Sequence, residues 1–148
     1  MRTRREPDDT ILEATRTIAV VGLSSNERRD SHRVTKYMQA QGYRIVPVNP
    51  KEGGPILGEV VYPSIAAIPA SIGVDLVNVF RRSVETDEAI DAAIARGAQA
   101  VWLQEGITNE VGMERAREAG LATVQDRCLM VEHRRWLLGK ASSPSGAR

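Results

Sequence analysis

The stretch T-I-A-V-V-G-L-S-S-N-E-R-R-D-S, residues 17–31, decides how this chain is read. A run of apolar, mostly β-branched residues ends at Gly22, and a polar loop carrying Arg28 and Arg29 leads into a helical pattern. β-Branched residues suit a strand, and glycine permits the tight turn that follows. The helix beyond opens on backbone N–H groups that point one way, and its dipole favours an anion there. Strand, turn and helix N-terminus together predict a site for a negatively charged ligand.

The same alternation continues outward. Ser31 reads as an N-cap; Val34, Tyr37, Met38 and Gln41 follow at helical spacing, and Gly42 supplies the stop. Residues 44–48 (R-I-V-P-V) form a second strand, with Pro47 expected at its end or at a bulge because it lacks a ladder donor. Residues 49–55 (N-P-K-E-G-G-P) read as a loop, 60–62 as a short strand and 64–68 as one helical turn. Strand 74–80, a cap at Ser83, helix 85–96 and a stop at Gly97 come next. Strand 100–103, a helix from an Asn109 cap to Ala119 with Gly120 as its stop, strand 122–125 and a helix to about Leu138 complete the series. Upstream, Pro7-Asp8-Asp9 is a helix-start signal ahead of Ile11, Leu12 and Ala14.

Strands that alternate with helices over short loops predict an α/β fold: a doubly wound, mainly parallel sheet in three α/β/α layers, forming a single domain. Residues 1–9 are expected to be an N-terminal arm, 10–138 the folded domain and 139–148 a disordered tail.

Composition narrows the function. The chain has 148 residues, 42% hydrophobic and 26% charged, with net charge +1. A near-neutral balance argues against nucleic acid or an anionic membrane surface as partner. Cys128 is the only cysteine, so neither an intrachain disulfide nor a cysteine-based zinc site is available. No metal-ligand spacing occurs, and no apolar run approaches the roughly 20 residues that span a bilayer. The charged start M-R-T-R-R-E-P-D-D has no apolar core of a signal peptide, so a cytoplasmic protein is expected.

In a doubly wound sheet, ligands bind beyond the carboxyl ends of the strands. The exits here are residues 22–31, 49–51, 80–83, 104–106 and 126–128, and each of them carries charged or amide side chains. A dinucleotide fingerprint would need glycine at 24 and 27, where Ser24 and Glu27 stand. An NAD site also wants an acid after strand two, where Asn49-Pro50-Lys51 stands instead. No Gly-Lys-Ser/Thr closes a P-loop. Ser24, Ser25, Arg28, Arg29 and Ser31 can all donate to phosphate oxygens, at about 1.5–3 kcal/mol for each charge-assisted bond. A solvated loop with a capping serine is the plain alternative, as surface charge is for Arg81 and Arg82. Catalytic signals are sparse. Cys128 and His133, five residues apart, would not face each other on one helix, and His133 beside Glu132 reads as a capped or surface histidine. Asp126 and Glu105 belong to no motif.

Five segments, G-L-S-S-N-E-R-R-D-S at 22–31, P-V-N-P-K at 47–51, V-F-R-R-S at 79–83, W-L-Q-E-G-I at 102–107 and D-R-C-L-M-V-E-H at 126–133, resemble the small stand-alone CoA-binding proteins. These are similar to the CoA-binding domain of the succinyl-CoA synthetase α subunit. The resemblance covers residues 10–136 and implies a Rossmann-like fold that binds coenzyme A or acyl-CoA across the strand ends. It implies that Gly22, Ser24, Ser25, Arg28, Arg29 and Ser31 hold the phosphates, and that Asn49, Pro50 and Lys51 lie by the ribose with Lys51 near the 3′-phosphate. Phe80, Arg81 and Arg82 would flank adenine or phosphate, and Gln104 and Gly106 the pantetheine. Cys128, at a strand exit, is a candidate for a mixed disulfide with the CoA thiol.

The multidomain synthetases add a domain with a phosphorylated histidine, and these 148 residues carry none. The expectation is therefore a non-catalytic module with no catalytic residue assigned. The alternatives are an NAD(P)-linked oxidoreductase on the same fold, or a ligand-free regulatory or interaction subunit of an acyl-CoA enzyme. Homo-oligomers and association with such an enzyme both stay open.

Overall fold

A computed structural model describes residues 7–142. The strands are β1 (Thr17–Val21), β2 (Arg44–Val48), β3 (Leu76–Val79), β4 (Ala100–Leu103) and β5 (Ala122–Val124). The helices are α1 (Pro7–Ala14), α2 (Asp30–Ala40), α3 (Thr86–Arg96), α4 (Glu110–Glu118) and α5 (Leu129–Ser142), with a 3₁₀ turn over Ser83–Glu85. The strands form one sheet in the order β2-β1-β3-β4-β5, every pair parallel. This is the expected Rossmann-like α/β architecture.

Helices cover both faces, so the central strands are apolar on both. Ile18, Val20, Leu76 and Trp102 pack with Leu12, Val34, Met38 and Leu129 from α1, α2 and α5. Ala19, Val21, Val77 and Val101 pack on the opposite face with Ile90 of α3 and Met113 of α4. Each fully buried Leu, Ile or Val contributes roughly 1.5–3 kcal/mol, so the two layers hold the sheet from both sides. Arg96, at the end of α3, donates to the carbonyls of Ile65, Ile68, Pro69 and Ile72 and so pins the connection from β2 to β3.

Gly42 and Gly97 end α2 and α3, and the Asn109 side chain caps α4 by accepting from the Gly112 N–H at 2.8 Å, all as expected. Other expectations are corrected. Ser31 lies inside α2, whose N-cap is Arg29, with no side-chain cap. Ser83 is not the cap of α3; Glu85 is, and the Ser83 hydroxyl accepts from the Thr108 N–H. Residues 60–62 contribute only an isolated bridge from Tyr62 to Val48, and 64–68 form turns without a helix. Pro47 stands opposite Val20 within β2. It is tolerated because β2 is an edge strand and the Pro47 carbonyl faces outward to the Tyr62 N–H. At the termini, α1 begins at Pro7 and α5 continues to Ser142, so part of the expected arm and tail is helical. Residues 1–6 and 143–148 lie outside the described residues.

Candidate functional site

From β1 the sheet grows one way to β2 and the other way to β3, so the crevice of a doubly wound sheet opens above the β1 and β3 exits. Gly22 and Phe80 are the first residues beyond those strands. Gly22 takes φ +88°, and a Cβ there would stand 2.5 Å from the Phe80 carbonyl oxygen. Only glycine fits. The same missing side chain lets Arg81 lie over the turn, its Nε 3.5 Å from where that Cβ would be.

The loop from β1 to α2 is built by its own short side chains. The Ser24 N–H donates to the Ser31 hydroxyl at 3.1 Å, and the Ser24 hydroxyl accepts from the Asn26 N–H at 3.0 Å. The Asn26 side chain accepts from the Arg28 N–H at 2.9 Å. His32, buried on α2, donates from Nδ1 to the Ser24 carbonyl at 3.0 Å. Ser25 reaches outward: its N–H and hydroxyl both donate to one oxygen of Glu52, at 3.1 and 3.2 Å. The Asn49 amide donates to the Leu23 carbonyl and accepts from the Lys51 N–H, both at 3.0 Å, so it braces the β1 and β2 exits against each other. Pro50 and Lys51 are exposed beyond it. Arg28, Arg29 and Lys51 enter no ion pair among the described residues.

Beside this loop lies a cavity of about 630 Å³ between the N-terminal ends of α2 and α5 and the exits of β3 and β4. Its walls mix apolar Val34, Phe80, Ile107 and Met130 with Arg33, Arg81, Arg82, Gln104, Gly106 and Cys128. Arg33 pairs with Asp30 and Arg82 with Glu85, each at 2.6 Å, whereas Arg81 pairs with no carboxylate among the described residues. The hydrogen bond from Arg82 holds the exposed Glu85 carboxyl below its ordinary range, with Arg81 and Lys51 adding at longer reach. Gln104 is 6% exposed, and its carbonyl oxygen accepts from the Asn78 amide at 3.3 Å and the Leu129 N–H at 3.1 Å. Asp126, at φ +60°, accepts from the Gly106 N–H at 2.7 Å and fixes the turn after β4.

Cys128 is half-buried and precedes α5, where its carbonyl accepts from the Glu132 N–H. His133 is not a surface residue. It is 3% exposed, its Nδ1 is 2.8 Å from the Tyr37 hydroxyl, and the rings of Tyr37, Tyr43 and Trp136 surround it with centroids 5.4–5.6 Å away. Burial lowers its pKa from the ordinary histidine value and pushes the Tyr43 phenol up to about 12, with the nearby Tyr37 adding to the latter. No histidine lines the cavity among the described residues.

The structure thus gathers Phe80, Arg81, Arg82, Gln104, Gly106 and Cys128 around one cavity. Gly22, Ser24, Ser25, Arg28, Arg29, Asn49, Pro50 and Lys51, on the adjoining loops, and Ser31, in the first turn of α2, lie outside its lining. Ser31 and Asn49 spend their side chains bracing those loops. Sequence reasoning missed Glu52 and the bracing roles of Asn78 and Asp126. A carboxylate three residues beyond an expected anion-loop partner, Asn49, was the signal for Glu52, but nothing local joined it to Ser25. Among the described residues, no helix is long and apolar enough to cross a membrane.

Comparison with known proteins gives a consistent set of relatives. A family model described as a CoA binding domain matches residues 16–134. A Bacillus subtilis (strain 168) protein named YneT, described as uncharacterized, is 39% identical over 123 residues, which cover 83% of this chain and 89% of that one. A hypothetical protein from Pyrococcus horikoshii OT3 has a solved structure with TM-score 0.82 at 38% identity, covering 93% of this chain and 99% of the other. A Thermus thermophilus structure described as cell-free ID.343 superposes with TM-score 0.82 at 35% identity, covering 89% and 99%.

Proposed function

This chain belongs to the CoA-binding domain family, and from that premise we propose that it binds coenzyme A or an acyl-CoA as a non-catalytic module. The observation that carries the reading is the junction of Gly22, Phe80 and Arg81: an open glycine turn, an arginine without a carboxylate partner among the described residues, and a cavity beside them. Coenzyme A would offer its pyrophosphate to the turn, negative charge to the arginine and a long pantetheine arm to the cavity. Its pyrophosphate would lie against the β1–α2 loop, where Arg28 and Arg29 also supply positive charge. Its 3′-phosphate would meet Lys51, with Asn49 and Pro50 by the ribose. The pantetheine would enter the cavity past Arg81 and Arg82, along Phe80, Gln104 and Gly106.

At the inner end Cys128 would face the thiol. A mixed disulfide forms there by exchange: the Cys128 thiolate attacks CoA disulfide, one S–S bond breaks as another forms, and CoA thiolate leaves. The cavity walls offer no nucleophile paired with a base, which supports binding over turnover. Lys51 in place of an acid, and serine where a dinucleotide loop has glycine, give no support to an NAD(P)-linked enzyme. A cytoplasmic location belongs to the same reading, since a lone thiol suits a reducing compartment.

Calorimetry of the purified protein with CoA and with NADPH tests the reading. Saturable binding of CoA and none of NADPH is the expected result; the reverse, or binding of neither, overturns it.

A further inference from the structure

The carboxylate of Glu52 sits where the β1–α2 loop would meet an anion. The Ser25 N–H and hydroxyl converge on its Oε2 at 3.1 and 3.2 Å. Two donors aimed at one anionic oxygen is the arrangement that a loop before a helix offers to phosphate. The neighbouring donors are already satisfied inside the loop: Ser24 N–H by Ser31, Asn26 N–H by Ser24, and Arg28 N–H by Asn26. Ser25 is therefore the point at which the loop reaches outward, and the chain's own carboxylate has taken it.

We propose that Glu52 is an internal stand-in for a ligand phosphate, closing the loop on Ser25 when the site is empty and leaving when phosphate arrives. The inference rests on the coenzyme A reading above and adds to it a specificity rule: only a ligand bearing a strong anion can displace the carboxylate, so the site selects phosphate esters against neutral nucleosides. Glu52 stands ahead of two glycines, the residues with the widest backbone freedom. Gly53 and Gly54 follow it in exposed positions with open space around them, and Pro55 closes the run. On the other side Glu52 is tied to the fold through its N–H to the Asn49 carbonyl at 3.3 Å, a long bond. Arg28 and Arg29, exposed on the loop that Glu52 closes and without ion pairs among the described residues, favour an incoming phosphate over its loss to water.

The test is calorimetry of wild type, Glu52→Gln and Glu52→Ala with CoA, with inorganic pyrophosphate and with adenosine. Both variants should bind CoA and pyrophosphate at least fivefold more tightly than wild type, because no carboxylate has to be displaced, while adenosine gains nothing. The Ser25 amide resonance of the wild-type protein should shift when CoA is added, as its acceptor changes. Wild-type binding with unchanged or weaker affinity in both variants, or a Ser25 amide indifferent to CoA, overturns the exchange and leaves the coenzyme A reading standing. Failure of all three proteins to bind CoA and pyrophosphate overturns both.

Discussion

Gly22 and Phe80 approach so closely that a Cβ on the glycine would stand 2.5 Å from the phenylalanine's carbonyl oxygen. The obstacle is backbone held by the sheet, since the Phe80 N–H donates to the Val21 carbonyl at 2.8 Å, so it cannot swing aside. Gly22→Ala combines that clash with a positive φ. It is expected to lower stability by about 1–3 kcal/mol and to weaken CoA binding at least tenfold, as the β1 and β3 exits are forced apart. Urea unfolding and calorimetry on the same preparation check it; an alanine variant with unchanged midpoint and affinity would contradict the geometry.

On the coenzyme A reading, Lys51 and Arg81 would divide the ligand between them. Lys51→Ala should lower affinity for CoA about tenfold, near 1.4 kcal/mol, in keeping with one charge-assisted contact. It should leave dephospho-CoA, which lacks the 3′-phosphate, unaffected. Arg81→Ala, placed over the glycine turn, should weaken both ligands alike. Equal losses of both ligands on removing Lys51 would reassign the lysine.

Cys128 faces a cavity that no other cysteine can reach, because it is the only one in the chain. Incubation with CoA disulfide without reductant should give one protein–CoA adduct by intact mass spectrometry. Dithiothreitol should reverse it, and Cys128→Ser should not form it. A thiol left unmodified at saturating CoA disulfide would place the pantetheine end elsewhere.

The burial of His133 has a consequence for acid stability. Desolvation lowers its pKa in the folded state below the ordinary value of 6.5, so the unfolded chain takes up the proton first. Its contribution is fully present above pH 6.5 and is lost as pH falls through the lower folded value. Glu132 has the opposite slope: burial raises its carboxyl above 4.5, so its contribution is present at low pH and lost as pH rises through the folded value. The difference between wild type and His133→Gln isolates the histidine. Between pH 7.5 and 5.5 the urea midpoint of wild type should fall more steeply than that of the variant. Parallel pH profiles would show that His133 does not titrate differently on folding.

Much of this was legible in the chain alone. Apolar runs marked all five sheet strands, glycines 42 and 97 marked helix ends, and Asn109 marked a helix start. These depend on periodicity and backbone preference over a few neighbouring residues, which sequence carries directly. The exits of the strands, and hence the region where a ligand would sit, followed from the α/β pattern.

The tertiary structure decided what those exits do to one another. Ser25 meets Glu52 across 27 residues and Tyr37 meets His133 across 96. Each pairing depends on where a loop or helix settles over the sheet. Ser31 illustrates the difference: its sequence suits a cap, yet in the fold its hydroxyl is claimed by the Ser24 N–H, and the cap position falls two residues earlier, at Arg29. Local preference sets which elements form; packing of both helical layers on one twisted sheet sets which side chains converge, and a ligand responds only to the second.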